Sequence, residues 1–237
     1  MKKFLFLLFS FSFSTFSFGQ ELNTPYVFPV KPGTEQWANL KTSRQKDSVC
    51  VIPSDVLKAL STKALLITCL NYPRKIDFYS SDNRQKAYNF YTKHFNGLSE
   101  LIKRPDLSKI LFQFYLDIDL PLGRYNRNTS KISGMQIEIV ELLISQETII
   151  NQYEKSEKSA LLSEAVKKME QRQKLEQSFH EQITSALILS RVLCSENKCL
   201  TGFDKFGNDV FSIFNSSAIV LDLSIFEKIL EASKKPL

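Results

Sequence analysis

Between Tyr26 and Pro73 the chain stops and restarts so often that only short helices fit. Four of the eight prolines fall in this stretch, which leaves no room for a long element. Pro32 and Gly33 break the extended arm before them. Thr34 is suited to cap a helix opening at Glu35, whose carboxylate complements the dipole of the first turn. Trp37 and Leu40 then share a face. Pro53 interrupts, and Ser54 or Asp55 is expected to cap a second helix carrying Val56, Leu57 and Leu60. Ser61 caps a third, with Leu65, Leu66, Cys69 and Leu70 along one apolar stripe. Pro73 ends it, because the residue before a proline is pushed out of helical geometry. None of the three helices is long enough to persist alone, so they must pack on one another. Trp37, beside the prolines and one turn from Leu40, is expected to be a core anchor and not a ligand contact.

The same three-and-four spacing continues downstream. Ser81 or Asp82 should open a helix with Ala87, Phe90, Tyr91 and Phe95 on one side, ended by Asn96-Gly97 with Gly97 in the left-handed cap position. Leu98 to Lys103 reads as a short helical turn. Pro105 suits a first helical position, ahead of the stripe Leu107, Ile110, Leu111, Phe114 and Tyr115. Residues 119–134 form an irregular seam with Pro121, Gly123, Gly134 and the polar run RYNRNTSK. It exceeds an ordinary connection and suits a binding loop or a flexible joint. Beyond it, Ile137, Val140, Leu143 and Ile144 make one stripe, with Ser145 or Ser156 as punctuation. Leu162, Val166 and Met169, then Phe179, Ile183, Ala186 and Leu193, make another. The polar middle of that second stripe, Glu170 to Gln177, either crosses open solvent or bends between two helices. Glu164–Lys168 and Glu170–Lys174 are spaced as helix-surface ion pairs. A short hairpin is expected around Gly207-Asn208, then a last helix from Leu221 to Ala232 with Leu223, Phe226, Ile229 and Leu230 inward.

The chain therefore reads as all-α, a compact array of short helices followed by longer ones. A helical part at 20–118, the seam, and a second helical part at 135–237 are expected to pack as one unit.

Three pieces of sequence share a pattern with known proteins. W-x2-L at Trp37–Leu40 is followed by C-x-I-P-x3-L-x2-L-S-T-x2-L-x3-C-L-x-Y-P at Cys50–Pro73, then by F-N-G-L-x-E-L-x2-R-x-D at Phe95–Asp106. The run, about residues 26–115, resembles a group of secreted bacterial proteins of unknown function. The resemblance implies no activity and assigns no functional residue.

The chain opens Met1-Lys2-Lys3 and continues FLFLLFSFSFSTFSF to Gly19. A basic start, an apolar core and the small residues Ser17 and Gly19 predict a signal peptide over 1–19, cut before Gln20, and export to the periplasm or beyond. The apolar run is shorter than the roughly 20 residues of a spanning helix, is broken by serines, and has no cysteine at the cut for a lipid anchor. No later segment is long and apolar enough to span a membrane. The formal net charge of +6 falls by two with Lys2 and Lys3. What remains is spread along the chain as a solvated surface. No basic stripe interleaved with aromatics appears, so nucleic acid is not an expected partner.

Export permits disulfides, and Cys50, Cys69, Cys194 and Cys199 allow three pairings. The spacing favours local pairs, with Cys194–Cys199 closing over the polar turn SENK, where Asn197 can take the left-handed position. In the alternative, Cys194 continues the apolar face behind Leu193 and stays reduced.

Catalytic chemistry has little to draw on. The two histidines, His94 and His180, fall on separate predicted helices without an HExxH pattern. His94 suits a contact with a helix C-terminus, and His180 suits a helix surface. Asp117 and Asp119 are two apart and diverge on a helix. No nucleophile elbow, P-loop or dinucleotide fingerprint is present, and seven glycines leave little for phosphate-cradling loops. No cofactor, metal or catalytic residue is expected. A cysteine nucleophile paired with His180 is a weaker reading than disulfides or buried thiols. Tyr88, Tyr91, Phe95, Phe112, Phe114, Tyr115 and Tyr125 cluster before and at the seam, as core or as a groove for a peptide or glycan. The expected function is a non-enzymatic exported module that binds a protein, peptide or glycan. The alternatives are a hydrolase with acids drawn from distant parts of the chain, or a secreted effector or its neutralising partner.

Overall fold

Side-chain caps fix where several of the helices begin. The computed structural model describes residues 21–78, 81, 83–120, 133–175 and 179–237, with Phe179 and His180 as backbone only. The expected leader over 1–19, the expected cut before Gln20, Asp82, and most of the 119–134 seam with Tyr125 lie outside the described residues. Among those residues the chain is all-α, with no strand.

The first four helices are α1 (Glu35–Asn39), α2 (Ser43–Ser48), α3 (Ser54–Ala59) and α4 (Thr62–Leu70). As expected, the Thr34 hydroxyl accepts from the Trp37 amide at 3.2 Å and the Ser61 hydroxyl from the Ala64 amide at 3.3 Å. α2 was not expected. It carries a reciprocal capping box of Thr42 and Gln45 and buries no residue, so no apolar stripe announces it. α3 begins on Pro53, and Ser54 and Asp55 lie inside it, where they cap nothing. α4 buries seven of its nine residues, Thr62 and Thr68 included, so it is a central helix and not a one-sided stripe.

A 3-10 turn (Lys75–Phe78) leads to α5 (Arg84–His94), capped by Asn83, one residue beyond the expected Ser81 or Asp82. α6 (Asn96–Leu101) follows directly. Gly97 is therefore helical and not a left-handed terminator. A Cβ there would lie 2.4 Å from the Phe95 ring and 2.9 Å from Ile52, so the glycine serves a close approach. α7 (Leu107–Leu116) starts after Asp106, which accepts a 2.6 Å bond from the Thr62 hydroxyl of α4; Pro105 stands before the cap, outside the helix.

α8 (Gly134–Ile144) opens with the Ser133–Gln136 capping box and buries every residue from Ile137 to Ile144. α9 (Glu147–Ile150) follows, then α10 (Lys155–Lys174) and α11 (Phe179–Ser195). Lys158 meets Glu196 at 2.8 Å and Arg172 meets Ser185 at 2.6 Å, so α10 and α11 run antiparallel. Glu170 to Lys174 of the polar middle thus complete α10, and the chain reverses direction between α10 and α11. Residues 183–193 of α11 are buried throughout, and this helix packs on α8, α9, α10, α12 (Val210–Ser217) and α13 (Ser224–Ser233). α12 was not expected, and the last helix begins three residues later than predicted, which leaves Leu223 exposed.

Of the predicted surface pairs, Glu164–Lys168 forms, but Lys168 is only 1% exposed. It donates to the Ile118 carbonyl at 2.8 Å and lies 4.8 Å from the Tyr115 ring centre. Glu170 pairs with Lys234 at 2.7 Å.

One apolar cluster runs through both halves of the chain. Its N-terminal end is aromatic: Phe28, Tyr72, Phe78, Tyr91 and Phe95 interlock, with Tyr72 and Phe95 stacked at 4.1 Å. The extended arm reaches this cluster by pairing Leu22 beside Leu60 and donating the Tyr26 amide to the Thr68 hydroxyl at 2.9 Å. Trp37 does not enter the core. α1 buries nothing, and the ring lies half-covered at the core's margin with Lys46 Nζ 5.5 Å from its centre.

Candidate functional site

Among the described residues, two places with buried polar side chains stand out: an ionic joint in the interior, and a cleft beside the disulfide.

The joint centres on Glu141, fully buried on α8. Its carboxylate accepts from Arg172 (2.8 Å, α10), from Thr184 and Ser185 (2.6 Å each, α11) and from the Tyr115 hydroxyl (3.2 Å, α7). Every lone pair is used, which is what a buried charge requires. Burial, reinforced by the Glu141 charge, holds the Tyr115 phenol well above its ordinary range. One turn earlier on α8, Glu138 is buried less well served. Its Oε2 has no hydrogen-bond partner, and burial pushes its carboxyl up to about 7. The void beside it, about 10 Å³ and lined by Phe78, Arg84, Ile139, Leu142 and Thr184, is too small for a ligand. The arrangement ties four helices together.

The cleft, about 580 Å³, lies between the end of α9, the C-terminal half of α11, and α12. Its size is that of ordinary ligand sites. Arg191 of α11 lines it and is 7% exposed. Its guanidinium binds the carbonyls of Ser145 (3.1 Å) and Asn215 (2.9 Å from Nε) and the Gln85 side chain (2.8 Å). Ser145 and Asn215 sit at the C-terminal ends of α8 and α12, whose negative poles offset part of the buried charge. No carboxylate pairs with Arg191 among the described residues. Burial, opposed by the field of Glu147 across the cleft, brings its pKa down to about 10.

The cleft's second wall is the Cys194–Cys199 loop. The two cysteines are bonded, with Cα atoms 4.2 Å apart, and Asn197 takes the left-handed conformation at φ 58°, as expected. Lys198 then donates its amide back to the Leu193 carbonyl at 2.9 Å, closing the end of α11. The local-pair expectation stops there: Cys50 and Cys69 stay thiols, both buried. Burial pushes the Cys50 thiol up to about 11 and Cys69 higher still, so neither is a nucleophile at neutral pH.

The chain next forms the expected hairpin, an isolated antiparallel bridge between Phe203 and Asp209 with Gly207 at φ +81°. Asp204 locks the turn. Its carboxylate accepts from the Asn208 side chain and amide (2.9 Å each) and from the Phe206 amide (2.8 Å), and these bonds hold it below the usual carboxylate range. Asp209 faces the cleft and caps α12 through the Phe211 and Ser212 amides. The locked turn displays Phe203, 72% exposed, and Phe206, 78% exposed, with Lys205 Nζ 5.0 Å from the Phe206 ring centre.

Other residues singled out from the sequence lie apart from the cleft. His94, exposed in the last turn of α5, bonds the Phe90 carbonyl at 2.7 Å and stacks on that ring. His180 lies in the first turn of α11, and its side chain is outside the described residues. Asp117 ends α7 and accepts from Gln113, and Asp119 is exposed beyond it. Tyr91, Phe95 and Tyr115 are buried, and Tyr88, Phe112 and Phe114 pack partly buried against the core. Among the described residues no three His, Cys, Asp or Glu side chains converge as metal ligands.

Sequence reasoning missed Arg191, Asn215, Phe203 and Phe206. Arg191 had one visible signal, a lone charge inside the apolar run ALILSRVL. The phenylalanines fall in a stretch without a period, where nothing separates display from burial. The chain matches no family model, no curated protein and no solved structure.

Proposed function

We propose that the protein is an exported binding module that engages a protein partner through the face formed by the Phe203–Asp209 hairpin and the cleft beside it. The carrying observation is the display of Phe203 and Phe206 on a turn locked by Asp204. Exposed aromatic rings cost solubility, and their burial in a partner returns the largest hydrophobic gain per residue. A turn already held in shape loses little conformational entropy on binding, so more of that gain reaches affinity. The signal-peptide pattern at 1–19 and the likeness of residues 26–115 to secreted proteins support the exported setting.

The test compares the mature wild-type protein with the Phe203→Ser, Phe206→Ser double variant as bait in the host's own envelope fraction. Both side chains are solvent-exposed, so circular dichroism should be unchanged. A stoichiometric partner retained by the wild type and lost from the variant supports the reading. Equal retention by both overturns it.

A further inference from the structure

Guanidinium carries five N–H groups. In Arg191 four are donated: Nε and one Nη2 proton to the Asn215 carbonyl (2.9 and 2.5 Å), the other Nη2 proton to Gln85 Oε1 (2.8 Å), and one Nη1 proton to the Ser145 carbonyl (3.1 Å). The second Nη1 proton has no acceptor among the described residues. Asn215 supplies a complementary vacancy: its Oδ1 is buried without a hydrogen-bond partner, and its Nδ2 reaches only Cys194 Sγ, at 3.1 Å. Both residues line the 580 Å³ cleft. A buried cationic donor beside a buried orphan acceptor is costly until both are met.

The charges around the cleft narrow what can meet them. Glu147 and Asp209 also line it, so a dianion such as phosphate would face two carboxylates for one arginine. A monoanion that also brings a donor fits better. Ile150 and Leu200 add an apolar patch for a side chain.

We propose that the cleft binds a carboxylate with an N–H on the neighbouring carbon, the pattern shared by a free amino acid and by the carboxy terminus of a peptide. The carboxylate sits on the spare Nη1 proton of Arg191, and the Asn215 side chain turns toward the cleft so that Oδ1, closed to solvent in the unliganded fold, accepts from the N–H. The inference rests on reading this face as a binding surface, and it names the chemistry taken beside the hairpin.

The probes are alanyl-alanine, its carboxy-amide and free alanine, titrated calorimetrically into the mature protein. Alanyl-alanine should bind saturably, and amidation, which removes the charge that meets Arg191, should weaken it at least about tenfold. A dipeptide tighter than alanine assigns the site to peptide termini. Equal affinity assigns it to free amino acids. Arg191→Gln would remove a joint between α5, α8 and α12 and so test folding as well. Ser212→Trp avoids this, because Ser212 is exposed and lines the cleft; its indole should fill the space and abolish binding with the circular dichroism unchanged. Binding of the amide as tight as that of the acid, binding unaffected by Ser212→Trp, or no saturable binding below about 10 mM (a free energy weaker than about 3 kcal/mol) overturns the inference. The Phe203→Ser, Phe206→Ser variant should keep the dipeptide affinity. If it loses the protein partner and retains the dipeptide, both readings stand. If partner capture is unaltered while the dipeptide binds, only the hairpin reading falls.

Discussion

Glu138 and Trp37 show how burial sets what a residue does. Glu138 has its carboxyl raised from 4.5 to about 7, first by burial. The unfolded chain therefore ionises at lower pH than the folded one. The group imposes no penalty below pH 4.5, and stability is lost as pH rises from there through about 7, up to about 3 kcal/mol. Glu138→Gln should leave the melting temperature unchanged at pH 4 and raise it above pH 7, in a pH series of thermal melts. A gain equal at all pH values would mean that the carboxyl does not titrate in this window. Trp37 was expected to behave as a buried anchor, whose loss costs about 3–5 kcal/mol. A ring half-covered at the margin supports a smaller figure, about 1–2 kcal/mol for Trp37→Ala by urea unfolding. At this scale the sequence was a poor guide, because Trp37 carries the marks of a core residue, and Glu138 and Glu141 look like surface breaks in an apolar helix.

Helix boundaries were legible where a capping hydroxyl stands ahead of an apolar stripe. Thr34 and Ser61 could be read directly, since a side-chain acceptor three residues ahead of an amide has one geometric use. α2, α9 and α12 could not, because none is long enough to show a full stripe. The bend between α10 and α11 was visible as a polar stretch, but only packing decides between a bend and a solvent crossing. Two predictions belong to these elements. Arg172→Met should destabilise by about 3–5 kcal/mol, because it leaves Glu141 charged and unpaired among α7, α8 and α11, while the Glu141→Leu, Arg172→Met pair should recover most of that loss in chemical denaturation. The Cys194–Cys199 bridge should appear as a linked peptide in mapping without reductant. Its small loop contributes about 2 kcal/mol, so a Cys194→Ser, Cys199→Ser variant should stay folded. Faster hydrogen exchange in that variant should be confined to the end of α11 and to α12, which meets the bridge through Asn215.

For the molecule as a whole, the all-α class followed from three-and-four spacing repeated along the chain, a signal that survives errors at any single boundary. The site did not follow, because it is assembled from residues of α9, α11 and α12 and a hairpin whose proximity exists only in the fold. Mass spectrometry of protein from its host should find a chain that starts at Gln20 or within a residue or two. An intact Met1 on the folded protein would refute export by a cleaved leader.

The extended arm bears on the timing of that cut. Leu22 and Tyr26 lie only a few residues beyond the expected cleavage point, yet Leu22 pairs with Leu60 and Tyr26 bonds Thr68, more than thirty residues downstream. A peptidase needs a slack, accessible strand, and docking of the arm takes that slack away. Were a leader cut before Gln20, processing and folding would compete for the same few residues, and a peptidase would have until Thr68 emerges from the translocon to act. Precursor refolded in vitro should consequently resist a signal peptidase that readily cuts the same precursor kept unfolded.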